Sequence, residues 1–167
     1  MNMTELSLEQ RVARLEAIEE IKQLKARYAH YLDNGYDPQG IASLFAADGE
    51  WVIEGQAIKG REDIIRHCEK LPRVIPWSLH ITTTSTVTID ADGEHASCIF
   101  YVQSTQTMNI GSEESKAYLI LGVFRDKCVK IDGQWFFAEV QADIQQSALW
   151  TEGWAKSPAV SGFFKVE

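Results

Sequence analysis

The spacing of apolar residues changes once along this chain, near Trp77, from one every three or four positions to one every second position. That switch from a helical to a strand period leaves few architectures open. Before it, Leu8, Val12, Leu15, Ile18, Ile21, Leu24, Tyr28 and Tyr31 form the stripe of an amphipathic helix over residues 7–33. Ser7 with Gln10 three places on is a capping box, which satisfies two N–H groups that a helix start leaves without partners. Asn34-Gly35 provides the stop, and Asp37-Pro38 an N-cap and first-turn proline for a short helix reaching residue 45. Residues 50–59 read as a small hairpin about Glu54-Gly55. Residues 62–71 put Ile64, Ile65, Cys68 and Leu71 on one helical face, closed by Pro72 and Pro76.

After the switch come long β segments at residues 78–89, 94–108, 115–130 and 134–144. Asp92-Gly93 and Asp132-Gly133 are hairpin signals, so consecutive segments pair antiparallel. Strands well beyond the usual length of about five or six residues twist and bend together. The expectation is therefore an α+β fold: a curved, mostly antiparallel sheet wrapped around a long N-terminal helix, with two shorter helices and a pocket at the open end. The whole of residues 1–167 reads as one domain. Its last stretch, 145–167, reads as irregular, and Trp150, Trp154, Phe163 and Phe164 suit it to capping the pocket mouth or meeting another subunit. The wide sheet and this aromatic tail predict a homo-oligomer, dimer or trimer.

Composition narrows the function. Sixteen Lys and Arg against 24 Asp and Glu give a net charge of −8, which repels phosphate backbones and anionic lipid, so neither nucleic acid nor membrane is an expected partner. No apolar run approaches the roughly 20 residues that span a bilayer, and residues 1–8 lack a signal peptide's basic and apolar regions; a cytoplasmic address is expected. Cys68, Cys98 and Cys128 are scattered and outside any CxxC, the pattern of buried reduced thiols. No HExxH, GxSxG, GxGxxG or P-loop is present, so no metal or cofactor is expected. Glu16, Glu19 and Glu20 with Arg11, Arg14, Lys22 and Lys25 read as a solvated helix face.

Two residues are candidates to carry chemistry. His80 lies on a strand whose even positions, Ser78 to Thr88, are polar and whose odd positions Leu79, Ile81, Val87 and Ile89 are apolar, so alternation alone turns His80 toward solvent. Asp33 sets a carboxylate at a helix C-terminus, the unfavourable end of the macrodipole, unless a donor compensates. An imidazole is such a donor, although Asp33 can also simply begin the Asp-Asn-Gly turn. Tyr28, five residues before Asp33, is about 140° around the helix and about 7.5 Å along it, close enough to border the same cavity.

Four stretches, taken in order, resemble the SnoaL-like branch of the NTF2-like cone proteins, over nearly the whole chain. They are Leu24-Lys-Ala-Arg-Tyr28 with Leu32-Asp33, Leu44-Phe45-Ala-Ala-Asp48 with Glu50-Trp51, Leu79-His80 ahead of Val87-Thr-Ile-Asp90, and Lys130-Ile-Asp-Gly-Gln-Trp135. The branch holds scytalone dehydratase, bile-acid 7α-dehydratase and hexachlorocyclohexane dehydrochlorinase, beside isomerases, cyclases and non-catalytic members. The resemblance implies a His80–Asp33 dyad that removes a proton, with Tyr28 assisting at oxygen. Leu32 stands where some members have a tyrosine. Thr105 stands where some have a second histidine, which leaves a one-base mechanism. Trp51, Trp77 and Tyr101, with Thr105, are expected to line a site for a hydrophobic cyclic or aromatic small molecule. A dehydratase-type lyase is the leading expectation. A ketosteroid-isomerase-like proton shuttle, a polyketide cyclase and a binding protein without turnover remain alternatives.

Overall fold

The computed structural model describes residues 6–110 and 114–156. Its first element is helix α1, Leu8–Asp33, opened by the full capping box: the Gln10 N–H donates to Ser7 Oγ and the Ser7 N–H to Gln10 Oε1. Helix α2 is Pro38–Ser43, capped by Asp37, whose carboxylate accepts from the Gly40 N–H. Strands β1, Phe45–Ile53, and β2, Gln56–Lys59, form a hairpin, followed by α3, Gly60–Cys68. Pro72 does not end the helical stretch. It sits in the first turn of a further short helix, α4, Leu71–Val74, where proline lacks only an N–H that needs no partner, so among the described residues three short helices follow α1 where two are expected.

The long strands are β3, Trp77–Ile89, β4, His95–Met108, β5, Lys116–Ile131, and β6, Gln134–Leu149. They form one six-stranded sheet in the order β2-β1-β6-β5-β4-β3. All pairings are antiparallel except β1 with β6, which is parallel. At the β5–β6 turn, Asp132 and Gly133 both have positive φ, 49° and 81°, the backbone of a tight hairpin that matches strand twist. Strand β6 runs five residues past Ile144, so residues 145–149 are sheet and not irregular tail. Trp150 and Trp154 beyond it are exposed, and Phe163 and Phe164 lie outside the described residues.

The core lies between α1 and the concave face of the sheet. Ala17, Ile21, Leu24, Tyr28, Ala29 and Leu32 face it, while Leu8, Val12 and Leu15 are exposed: the burial of α1 begins at its third turn. Lys25 belongs to this buried stripe and not to the solvated face. Its Nζ lies 2.8 Å from Asp126 of β5, both side chains almost wholly inaccessible, and 3.4 Å from the centroid of the Phe124 ring. Burial lowers the Lys25 pKa and raises that of Asp126, and each partner opposes the other's shift. All three cysteines are free and buried, and burial pushes the Cys68 thiol up to about 12. Among the described residues no helix is long and apolar enough to cross a membrane.

Removing one member of a buried ion pair strands the other charge. Lys25→Met is expected to cost about 3–5 kcal/mol in denaturant unfolding, and Lys25→Met with Asp126→Leu to recover most of it. Gly122 occupies a register shift between β5 and β6, where an added Cβ would lie 2.6 Å from the Asp143 carbonyl oxygen. Gly122→Ala is expected to lower stability by about 1–3 kcal/mol in the same assay.

Candidate active site

The end of α1 and the first half of β3 meet through one carboxylate. Both oxygens of Asp33 accept the backbone N–H of His80, at 3.0 and 3.1 Å, and Oδ1 lies 2.7 Å from His80 Nδ1. An ionised carboxylate only accepts, so the ring donates through Nδ1–H, and in the neutral ring Nε2 keeps its lone pair. The three contacts offset the C-terminal dipole of α1. They also hold His80 inward, its side chain 7% exposed, where alternation of polarity alone predicts solvent. Ser78 reinforces this orientation by donating to the Leu32 carbonyl.

The inversion has a local cause. Between Thr83 and Thr86 the β3–β4 register shifts, and Thr84 has φ of 49°. A bulge inserts a residue and changes which side chains face the core. Beyond it Ile89 points inward, whereas before it Ser78 and His80 do and Trp77, Leu79 and Ile81 do not.

The inward face of this end of the sheet, with α1, encloses a hollow of about 30 Å³ lined by His80, Tyr28, Tyr36, Trp51, Ser104 and Gln106 among others. That is room for one or two water-sized molecules; a larger ligand enters only by displacing side chains. A more open groove of about 820 Å³ runs between Glu16, Glu19, Glu20 and Arg27 of α1 and the β5–β6 turn, but has no histidine. Among the described residues, no three His, Cys, Asp or Glu side chains come together as metal ligands.

Tyr28 and Trp51 reach the hollow. Tyr28 is caged edge-on by Phe45, Trp51, Phe124 and Phe137 at centroid distances of 5.6–6.4 Å, and burial raises its pKa well above that of a free phenol. Trp77 and Tyr101 do not reach it: they are 54% and 53% exposed on the outer face. Thr105, paired with Leu79, has the parity of Tyr101 and so belongs to that outer face too. Tyr101 and Thr105 face outward because alternation along β4 sends its even positions inward, and Trp77 because Ser78 and His80 take the inward frame at the start of β3. Ser104 and Gln106 are the residues beside His80, and sequence reasoning passed over them. Their signal was present, as two polar residues interrupting the inward series Ala96, Cys98, Phe100, Val102 and Met108.

Tyr36 was also missed. It is 2% exposed, its ring meets that of His80 edge-on at 6.4 Å, and burial raises the pKa of its phenol well above the ordinary value. It follows Gly35 in the left-handed region, with φ of 57°, a costly conformation for an aromatic residue that turns the chain back into the hollow. An Asn-Gly stop predicts the turn but not which side chain it returns.

The arrangement is therefore an imidazole oriented by a carboxylate, beside two protonated phenols, in a small and mostly apolar hollow. Comparison with curated proteins finds no match. Among solved structures, a proposed scytalone dehydratase of Novosphingobium aromaticivorans superposes with TM-score 0.74 at 19% identity, covering 84% of this chain and 91% of that one. The type-3 hexachlorocyclohexane dehydrochlorinase of Novosphingobium barchaimii gives 0.74 at 20% identity, covering 83% and 93%. A Mycobacterium tuberculosis protein of unknown function gives 0.69 at 23% identity, covering 89% and 82%. At these identities the likeness is one of fold. The model of the SnoaL-like domain matches residues 13–141, and the chain belongs to that family.

Proposed function

We propose that this protein is a cofactor-independent lyase that eliminates water or another small leaving group from a hydrophobic cyclic or aromatic molecule. The observation that supports it is the 2.7 Å contact of His80 Nδ1 with Asp33 at the edge of a sheltered hollow. In this reading Nε2 takes a proton from a carbon next to a carbonyl. The electron pair of that C–H bond becomes the new C=C bond, and the leaving group departs from the neighbouring carbon with its own pair. Asp33 holds the ring in the tautomer that a base needs and stabilises the imidazolium that forms. Tyr28, protonated at any working pH, donates to the oxygen that gains charge. The dehydrochlorinase and the proposed scytalone dehydratase, similar in fold, are named for eliminations and so favour this reading. Isomerisation by return of the proton to a second carbon uses the same parts and differs in releasing nothing.

Screening aromatic and steroid-like β-hydroxy ketones for new enone absorbance tests it. His80→Gln and Asp33→Asn are each expected to lower kcat about 10²- to 10⁴-fold with folding intact. Tyr28→Phe is expected to lower kcat about 10²- to 10³-fold, with KM nearly unchanged. Equal ligand binding by wild type and His80→Gln, with turnover by neither, would leave a binding protein. Absorbance change without release of the leaving group would make it an isomerase.

Oligomerisation belongs to the same proposal. Trp77, Leu79, Ile81 and Tyr101 make the outer face of β3 and β4 apolar and exposed, and a second copy of the chain is the occupant proposed for it. Leu79→Glu with Ile81→Glu is expected to turn a dimer or trimer into a monomer by light scattering. An unchanged mass would contradict that assignment.

A further inference from the structure

Gln106 is 3% exposed and stands on β4 beside His80. Its Nε2 lies 3.2 Å from His80 Nε2 and 3.0 Å from Ser104 Oγ, while its Oε1 is buried without a partner. Two nitrogens that close share a proton only if one carries a bare lone pair. In the neutral ring, which donates Nδ1–H to Asp33, the bare nitrogen is Nε2 and the amide is the donor. A buried carbonyl oxygen left idle beside this contact is costly, and it is the feature that needs a purpose.

We propose that Gln106 is a positioning residue for His80 that serves both protonation states of the ring by reversing its carboxamide. In the neutral ring, the amide N–H₂ donates to Nε2 and to the Ser104 hydroxyl. When Nε2 gains a proton, two N–H groups would face each other. Half a turn about the last side-chain torsion replaces nitrogen with Oε1, which then accepts from Nε2–H. Ser104 tolerates both states, because a hydroxyl accepts from N–H₂ in one and donates to Oε1 in the other. That torsion is broad and roughly two-fold, so both orientations keep the amide within its space.

The groups facing His80 are few. Asp33 comes from α1, Tyr36 from the turn after it, Ser104 and Gln106 from β4, with Ser78 and Thr82 its neighbours on β3. The buried Lys25–Asp126 pair packs on Tyr28 and Phe124, which line the same hollow. Among the described residues, Gln106 is the group that meets the ring at Nε2, and it carries a donor and an acceptor in one planar unit. The inference rests on His80 being the base for its catalytic meaning, though not for its test.

A reversing amide favours the charged ring, since hydrogen bonds to ions are the stronger kind. A fixed amide donor opposes it. Nitrogen-15 NMR of the full chain, following the His80 ring and the Gln106 side-chain amide through a pH titration, separates the two. The Gln106 amide signals are expected to move in step with proton uptake by His80. Gln106→Leu is expected to lower the proton affinity of His80 roughly threefold or more, and Gln106→Glu to raise it. A higher affinity in the leucine variant, or a Gln106 amide that ignores the His80 titration, would overturn the proposal. Should Gln106→Leu not fold, the wild-type amide signals decide alone. No turnover enters these readings, so a protein without lyase activity can still satisfy them, and an active lyase can still fail them.

Discussion

One carboxylate joins the two halves of this fold. Asp33 closes α1, the element that carries the helical period, and grips β3, the first strand of the other period, by the His80 backbone and ring together. A helix C-terminus disfavours negative charge. Two N–H groups of His80, in three contacts, reverse that balance, and the ring's share requires that His80 face inward. Anchoring the strand, orienting the imidazole and keeping it out of bulk water are thus consequences of one carboxylate's hydrogen bonds. The first half of β3 then has to present its apolar side chains to the outside, which creates the exposed face of Trp77, Leu79 and Ile81.

The interior behind the site is built for rigidity. Tyr28 is held by four aromatic rings, and a buried lysine lies over Tyr28 itself and Phe124 with Asp126 as its counter-ion. Such a pair adds little net stability over well-packed apolar residues, but its geometry tolerates few alternative packings. The hollow above it is small, so the residues able to yield to a ligand are those on its wall, with Gln106 and Tyr36 set beside the imidazole.

Much of this was legible before any coordinates. The capping box, the Asp-Gly turns and the change of period specify α1 and the β3–β6 meander, because each depends on interactions within a few residues. The Asp33–His80 pairing, 47 residues apart, was legible only through resemblance to a family, since no local rule brings those positions together. What misled was parity. A strand with apolar odd positions reads as odd-side-in, yet the bulge after Thr83 gives β3 two frames, and Asp33 selects the polar face for the first of them. Tyr101 is read as an aromatic wall and Thr105 by resemblance, and neither reading uses the alternation of β4, which brings Ser104 and Gln106 inward instead. Lys25 looked solvated because its partner, Asp126, is a hundred residues away on β5. Long-range electrostatic contacts decide these positions, and they leave no periodic trace.

The ring N–H of His80 reports most directly on the central claim, that an imidazole is held by a carboxylate in a sheltered space. His95 offers an internal control, since its Nδ1 also lies 2.7 Å from a carboxylate, Asp92, but on an exposed turn. Proton NMR of the wild type should show a far-downfield Nδ1–H resonance for His80 that exchanges slowly with solvent and disappears in Asp33→Asn, with none persisting for His95. A His80 ring proton that exchanges as fast as that of His95, or one that survives loss of the Asp33 carboxylate, would contradict the account.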